Sequence, residues 1–172
     1  MFSSQLQPFL EPRKLADQEA EIKGQTIVSR LPRLAEFRDS QDEIVEVALR
    51  FGRDEEHRQC LSGTVKTELM LTCQRCLEPV RCQVEARPSL VMVYNEEQMK
   101  ALPEHLDPWM VTDERITLSE LLEEELLLAL PLVAMHEQCP TVLHKSAEPA
   151  AAVESKRDNP FAVLAQLKSR DD

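Results

Sequence analysis

The chain has 172 residues, a formal net charge of −11, and 30% charged against 42% hydrophobic residues. That length supports one domain with a real core plus solvated tails. The acidity disfavours a whole-chain grip on bare RNA or DNA, where affinity comes from neutralising phosphates, and suits a basic partner instead.

No stretch approaches the roughly 18 apolar residues of a transmembrane helix. The start, "MFSSQLQPFLEPRKLAD", lacks the basic and apolar regions of a signal peptide. The expected compartment is the cytoplasm, where disulfides seldom persist. Five cysteines, Cys60, Cys73, Cys76, Cys82 and Cys139, are an odd set that argues against a disulfide scaffold.

In chain order, Lys14 to Ile22 reads as a turn or two of helix ending near Gly24, followed by a short strand at 26–29. In "LPRLAEF", Leu31, Leu34 and Phe37 recur every three residues, which predicts a short helix with Pro32 at its start. The middle is β. Val45, Val47, Leu49 and Phe51 alternate along 43–51. Val65, Leu69 and Leu71 share one face of 61–72, and Val80, Cys82 and Val84 one face of 80–86. Pro88 predicts an edge position or a bulge before a further strand at 89–94. Residues 95–115 are polar, with Pro103 and Pro108, and include the one tryptophan, Trp109.

The best-defined helix follows. Thr117 and Glu120 have the spacing of a capping box, Ile116 and Leu121 that of a hydrophobic staple, and Pro131 ends the run. Leu118, Leu121, Leu122 and Leu126 form its apolar side, Glu120, Glu123 and Glu124 its solvated side, and its apolar last turn is expected to be buried. Residues 141–158 read as a flexible linker. In the terminal "NPFAVLAQLK", Asn159 can cap, Pro160 suits the first helical position, and Phe161 to Leu167 can form a short helix.

The expected fold is α+β: an antiparallel sheet of about four to five strands packed with one main helix. The division is a single domain over 1–140, a linker over 141–158 and a short helical segment over 159–172.

"TCQRCLEP" at 72–79 places Cys73 and Cys76 between two strands. Three readings stay open. Two thiolates at this spacing can share a tetrahedral zinc ion, with His136 and Cys139 of "MHEQC" completing the shell and Cys60 or Cys82 as substitutes. A redox pair is the second, although such motifs usually open a helix, whose dipole lowers the thiol pKa. The third is a turn shaped by two small half-buried thiols with no metal.

Arg75 and Arg81 form a candidate phosphate-contacting patch, set against their reading as ordinary surface arginines. Three glycines in all leave no phosphate-binding loop, and the histidines have no accompanying nucleophile, so no enzyme activity is expected. Residues 101–139 carry nine acids and one arginine, a concentration suited to a basic protein.

"LTCQRCLEPV" at 71–80, "LLEEELLLALPLVAMH" at 121–136 and "NPFAVLAQLK" at 159–168 occur in that order. Together they resemble the YceD family, the large ribosomal RNA subunit accumulation proteins of bacteria, in its proteobacterial branch. The resemblance implies a non-enzymatic part in the synthesis, processing or stability of 23S ribosomal RNA during large-subunit biogenesis. The implied partners are the RNA precursor, a basic ribosomal protein, or both. Many relatives carry more cysteines after the "ALP" segment, where this chain has His136 and Cys139. The expected contact residues are Arg75, Arg81, Asn159, Pro160, Phe161, Leu164 and Leu167. A structural zinc is the one cofactor considered, with no membrane and no small-molecule substrate. The competing reading is a small cytosolic zinc- or thiol-dependent redox or adaptor protein.

Overall fold

The structure is a computed structural model and describes residues 6–37 and 43–139. The expectations for 141–158 and 159–172 lie outside the described residues. What is described is α+β, as the alternating apolar pattern predicts. Its order is β1 (Phe9–Leu10), α1 (Pro12–Asp17), β2 (Glu21–Ile27), two 3-10 turns (Val28–Arg30 and Pro32–Phe37), β3 (Ile44–Arg53) and β4 (Gln59–Thr72). Then follow β5 (Pro79–Ala86), β6 (Ser89–Val93), α2 (Glu96–Ala101), β7 (Asp107–Met110), β8 (Ile116–Thr117) and α3 (Leu118–Leu128).

The main sheet runs β2-β3-β4-β6-β7, with β5 also on β4. All its pairs are antiparallel except β6 with β7. The alternating residues of β3 do what their spacing demands: Val45, Val47, Leu49 and Phe51 are all buried on one face. β4 continues that face with Leu61, Val65 and Leu69, and β5 with Val84 and Ala86. Onto it pack Ala16 of α1, Leu31 and Leu34 of the 3-10 segment, and Leu118, Leu121, Leu122 and Leu126 of α3, as one core. The opposite face is polar and carries cross-strand ion pairs such as Lys66 with Glu85 and Arg81 with Glu68. These exposed pairs add specificity of pairing more than stability.

Several local expectations change. Glu21 to Gln25 join a strand instead of a helix end, because α1 stops at Asp17 and Glu19 turns the chain with φ 48. The three-residue spacing of "LPRLAEF" gives a 3-10 helix, whose period is three. Pro88 makes no bulge: the β4 register is the same before and after it, from Val65 with Ala86 to Ser62 with Ser89. Gly63 faces the interruption and accepts no substitute cheaply. A Cβ there would lie 2.2 Å from the Ala48 carbonyl oxygen.

The polar stretch 95–115, for which the sequence pattern predicts no element, holds α2 and β7. Asn95 caps α2 by accepting from the Gln98 N–H at 2.8 Å, and the crossover delivers β7 parallel to β6.

α3 departs from its sequence reading in three ways. Thr117 makes no side-chain cap, because it is held in β8 opposite Phe9, and the Leu118 N–H donates to the Pro8 carbonyl at 2.9 Å instead. Glu123 is buried, not solvated. Its carboxylate accepts from the Arg33 N–H at 3.1 Å and so caps the 3-10 helix beginning at Pro32. The last turn is not fully buried: Leu128 is 83% exposed.

Candidate metal centre

The hairpin of β4 and β5 closes at Thr72 opposite Pro79, leaving Cys73 to Glu78 as its tip. Two backbone bonds tighten the tip: Cys73 N–H donates to Glu78 O and Leu77 N–H to Cys73 O, both at 2.9 Å. Leu77 sits in the left-handed region, φ 63, where glycine is the usual occupant. The segment leaving α3 passes alongside, and the Gln74 N–H donates to the Ala134 carbonyl at 2.9 Å. That one bond sets His136 and Cys139 against the hairpin tip.

The result is a single cluster. One ligand atom from each of Cys73, Cys76, His136 and Cys139 lies within 4.8 Å of the other three. Cys73 Sγ and Cys139 Sγ are 4.0 Å apart, and Cys76 Sγ and His136 Nδ1 3.4 Å. Ligand edges of a tetrahedral zinc site with bonds of about 2.3 Å to sulfur would be roughly 3.8 Å. The donors are therefore spaced closely enough to share one ion.

The surroundings fit the same reading. His136 Nε2 lies 3.1 Å from the Pro79 carbonyl. A carbonyl only accepts, so Nε2 carries the proton and Nδ1 turns its lone pair toward Cys76. That is the tautomer and the outer bond of a metal-ligating histidine. Backbone N–H groups of Cys76, and then of Arg75 and His136, point at the buried Cys73 sulfur and, against the opposing effect of burial, bring its pKa down to about 5. At Cys76 the Glu78 N–H favours the thiolate, but burial and the neighbouring Cys73 and Cys139 sulfurs outweigh it and raise the pKa. Arg75 grips Cys139, with Nε on Sγ and Nη2 on the carbonyl at 3.2 Å. Three thiolates outweigh the charge of one divalent ion, and this guanidinium faces the excess.

The cluster thus joins the four residues that spacing proposed. Cys60, on β4 opposite Gly52 and Val91, and Cys82, packed below the tip, are not members. All five cysteines are free thiols. Of the two candidate arginines, Arg75 is on Cys139 and Arg81 on Glu68. The orienting Pro79 carbonyl, the Ala134 carbonyl and the second role of Arg75 were not readable from spacing. They are backbone and long-range contacts, and the sequence carries no signal for them beyond proximity to the cysteines.

No helix among the described residues is long and apolar enough to cross a membrane. No solved structure matches the chain. A family model described as "Large ribosomal RNA subunit accumulation protein YceD" matches residues 61–168. A protein of that name from Haemophilus influenzae is 34% identical over 165 residues, covering 94% of this chain and 95% of the relative. The match begins in β4 and takes in all four residues of the cysteine–histidine cluster, and similarity to the relative extends over nearly all the remaining chain: this protein belongs to the YceD family.

Proposed function

We propose that this protein is a non-enzymatic factor of large ribosomal subunit biogenesis in the cytoplasm, acting on the synthesis, processing or stability of 23S ribosomal RNA. Similarity to a named accumulation protein over nearly the full length of both chains carries this reading. It binds the RNA precursor, a basic ribosomal protein, or both. On the folded domain, residues 1–140, the proposed contacts are Arg75 and Arg81, each of which would exchange its present partner, Cys139 or Glu68, for the ligand. Further contacts come from Asn159, Pro160, Phe161, Leu164 and Leu167 in a short terminal helix at the end of the 141–158 linker.

The role assigned to Cys73, Cys76, His136 and Cys139 is a structural zinc site. A shell already filled by four protein donors leaves no position for a substrate, in contrast to catalytic zinc sites that keep one open. When bound, zinc would fasten the hairpin tip to the segment leaving α3. No small-molecule substrate or membrane enters this account.

Ribosomal RNA levels in cells lacking the protein test it. Selective loss of 23S relative to 16S is the expected result. Equal loss of both, or no loss, overturns the assignment.

A further inference from the structure

Eight large hydrophobic side chains are exposed among the described residues, and five of them, Leu77, Leu128, Leu132, Val133 and Met135, belong to the hairpin tip and the exit from α3. The Ala134–Gln74 backbone bond brings these two segments together, so the exposed side chains gather at one end of the domain. Leu132 is fully exposed and Leu77 73% exposed. A concentration of this kind is unlike the scattered apolar residues of an ordinary surface.

Leu77 is the most telling of the five. It occupies a left-handed backbone position that glycine would hold without strain, and its side chain contributes little to the core. Folding alone would favour glycine there. The leucine thus presents an apolar side chain to the outside at some cost in backbone strain.

The rim of this surface is predominantly acidic. Glu78 follows Leu77, Glu137 follows His136, and Glu125 stands one helical turn before Leu128, while Glu124 beside it is paired with Arg33 at 3.8 Å. From Ile116 to His144 the sequence has no Lys or Arg. Arg75, the cation within the tip, is turned onto Cys139. Such a rim repels phosphate and attracts cations. Burial, reinforced by Glu124 and Asp107, raises the Glu125 pKa, so a nearby positive charge would be welcome.

We propose that this apolar, acid-rimmed end of the domain docks an amphipathic, basic protein segment. The partner presents apolar side chains to Leu77, Leu132 and their neighbours and Lys or Arg to the surrounding carboxylates. RNA is disfavoured here on both counts. The proposal deepens the assembly-factor reading by choosing, for this surface, protein over RNA.

The test titrates the full-length, zinc-loaded protein into a fluorescein-labelled helical peptide of Leu and Lys. An all-Lys peptide serves as competitor, and a labelled 23S RNA transcript is titrated separately, with no peptide present. Two variants are compared, Leu77→Gly and the double substitution Leu132→Ser with Val133→Ser. Both lie at exposed positions, and Leu77→Gly also relieves strain, so unchanged zinc content and circular dichroism are expected. Each variant should weaken the Leu/Lys peptide by about tenfold or more. The all-Lys peptide should compete poorly, and the labelled RNA should bind the protein weakly and equally in both variants. Unchanged peptide binding by both variants, or RNA binding that both variants weaken, overturns the proposal.

A second arm separates it from the assembly reading. If deletion of the protein lowers 23S RNA but the double variant restores it fully, the surface proposal fails and the assembly reading survives. If deletion leaves 23S RNA normal, the assembly reading fails and the titration alone decides the surface.

Discussion

The two ends of the β4–β5 hairpin are held by different physics. Its base belongs to a core of twenty buried apolar residues contributed by the sheet, α1, the 3-10 segment and α3. Its tip rests on three: Cys73, Val80 and Ala134. A fully buried Leu, Val or Phe side chain contributes about 1.5–3 kcal/mol, so burial suffices to hold the base. Half-buried Leu71, Cys76, Cys82 and Cys139 add to these three, and the turn is otherwise held by polar contacts: its own backbone bonds, the Arg75 grip and the bond to Ala134. On the proposed zinc site, the same hairpin would be rigid at one end by burial and at the other by coordination.

Perturbing each end separately breaks or sharpens that contrast. The largest effect belongs to the base. Phe51→Ala removes a fully buried ring from β3 and should cost about 3–5 kcal/mol in chemical denaturation, with the whole domain melting together. Gly63→Ala comes next. Its Cβ meets the Ala48 carbonyl, which is backbone and cannot swing aside, so a loss of about 1–3 kcal/mol is expected by the same assay. Glu123→Ala strips the Arg33 N–H of its acceptor and should cost about 1–2 kcal/mol, with hydrogen exchange quickening first in Pro32–Phe37.

Arg75→Gln leaves the ligands in place and removes the cation facing Cys139. Zinc should be lost to a competing chelator at lower chelator concentration, by roughly tenfold, while the denaturation midpoint of the domain hardly moves. Thr117→Ala should have the smallest effect of all, within about 0.5 kcal/mol. Its hydroxyl makes no cap, despite the capping-box spacing with Glu120.

The sequence revealed whatever depends on local period. Alternation in β3, β4 and β5 predicted strands and their buried faces, and the i, i+3, i+4 leucines predicted the inner side of α3. The ligand quartet was also legible, because Cys-x-x-Cys and His-x-x-Cys spacings are themselves local. Features decided by distant partners were hidden. Thr117 looks like a cap until β1 pairs with β8, and Glu123 looks solvated until the 3-10 helix presents an N–H to it. β7 was hidden too, since "DPWM" is short, contains a proline and pairs only through a parallel crossover. The apolar end of α3 misled for a related reason: an apolar turn predicts burial, and Leu128 lies instead on a surface that nothing among the described residues covers.

The contrast between the two ends rests on metal holding the tip. The most direct measurement is native mass spectrometry of the zinc-supplemented protein and its Cys73→Ser variant, paired with hydrogen exchange read at Cys76 and Leu77 and at β3. The account predicts one zinc per native chain and none in the variant, with protection lost at the tip and retained in β3. A native chain that takes up no zinc, or a variant that keeps both zinc and a protected tip, would contradict it.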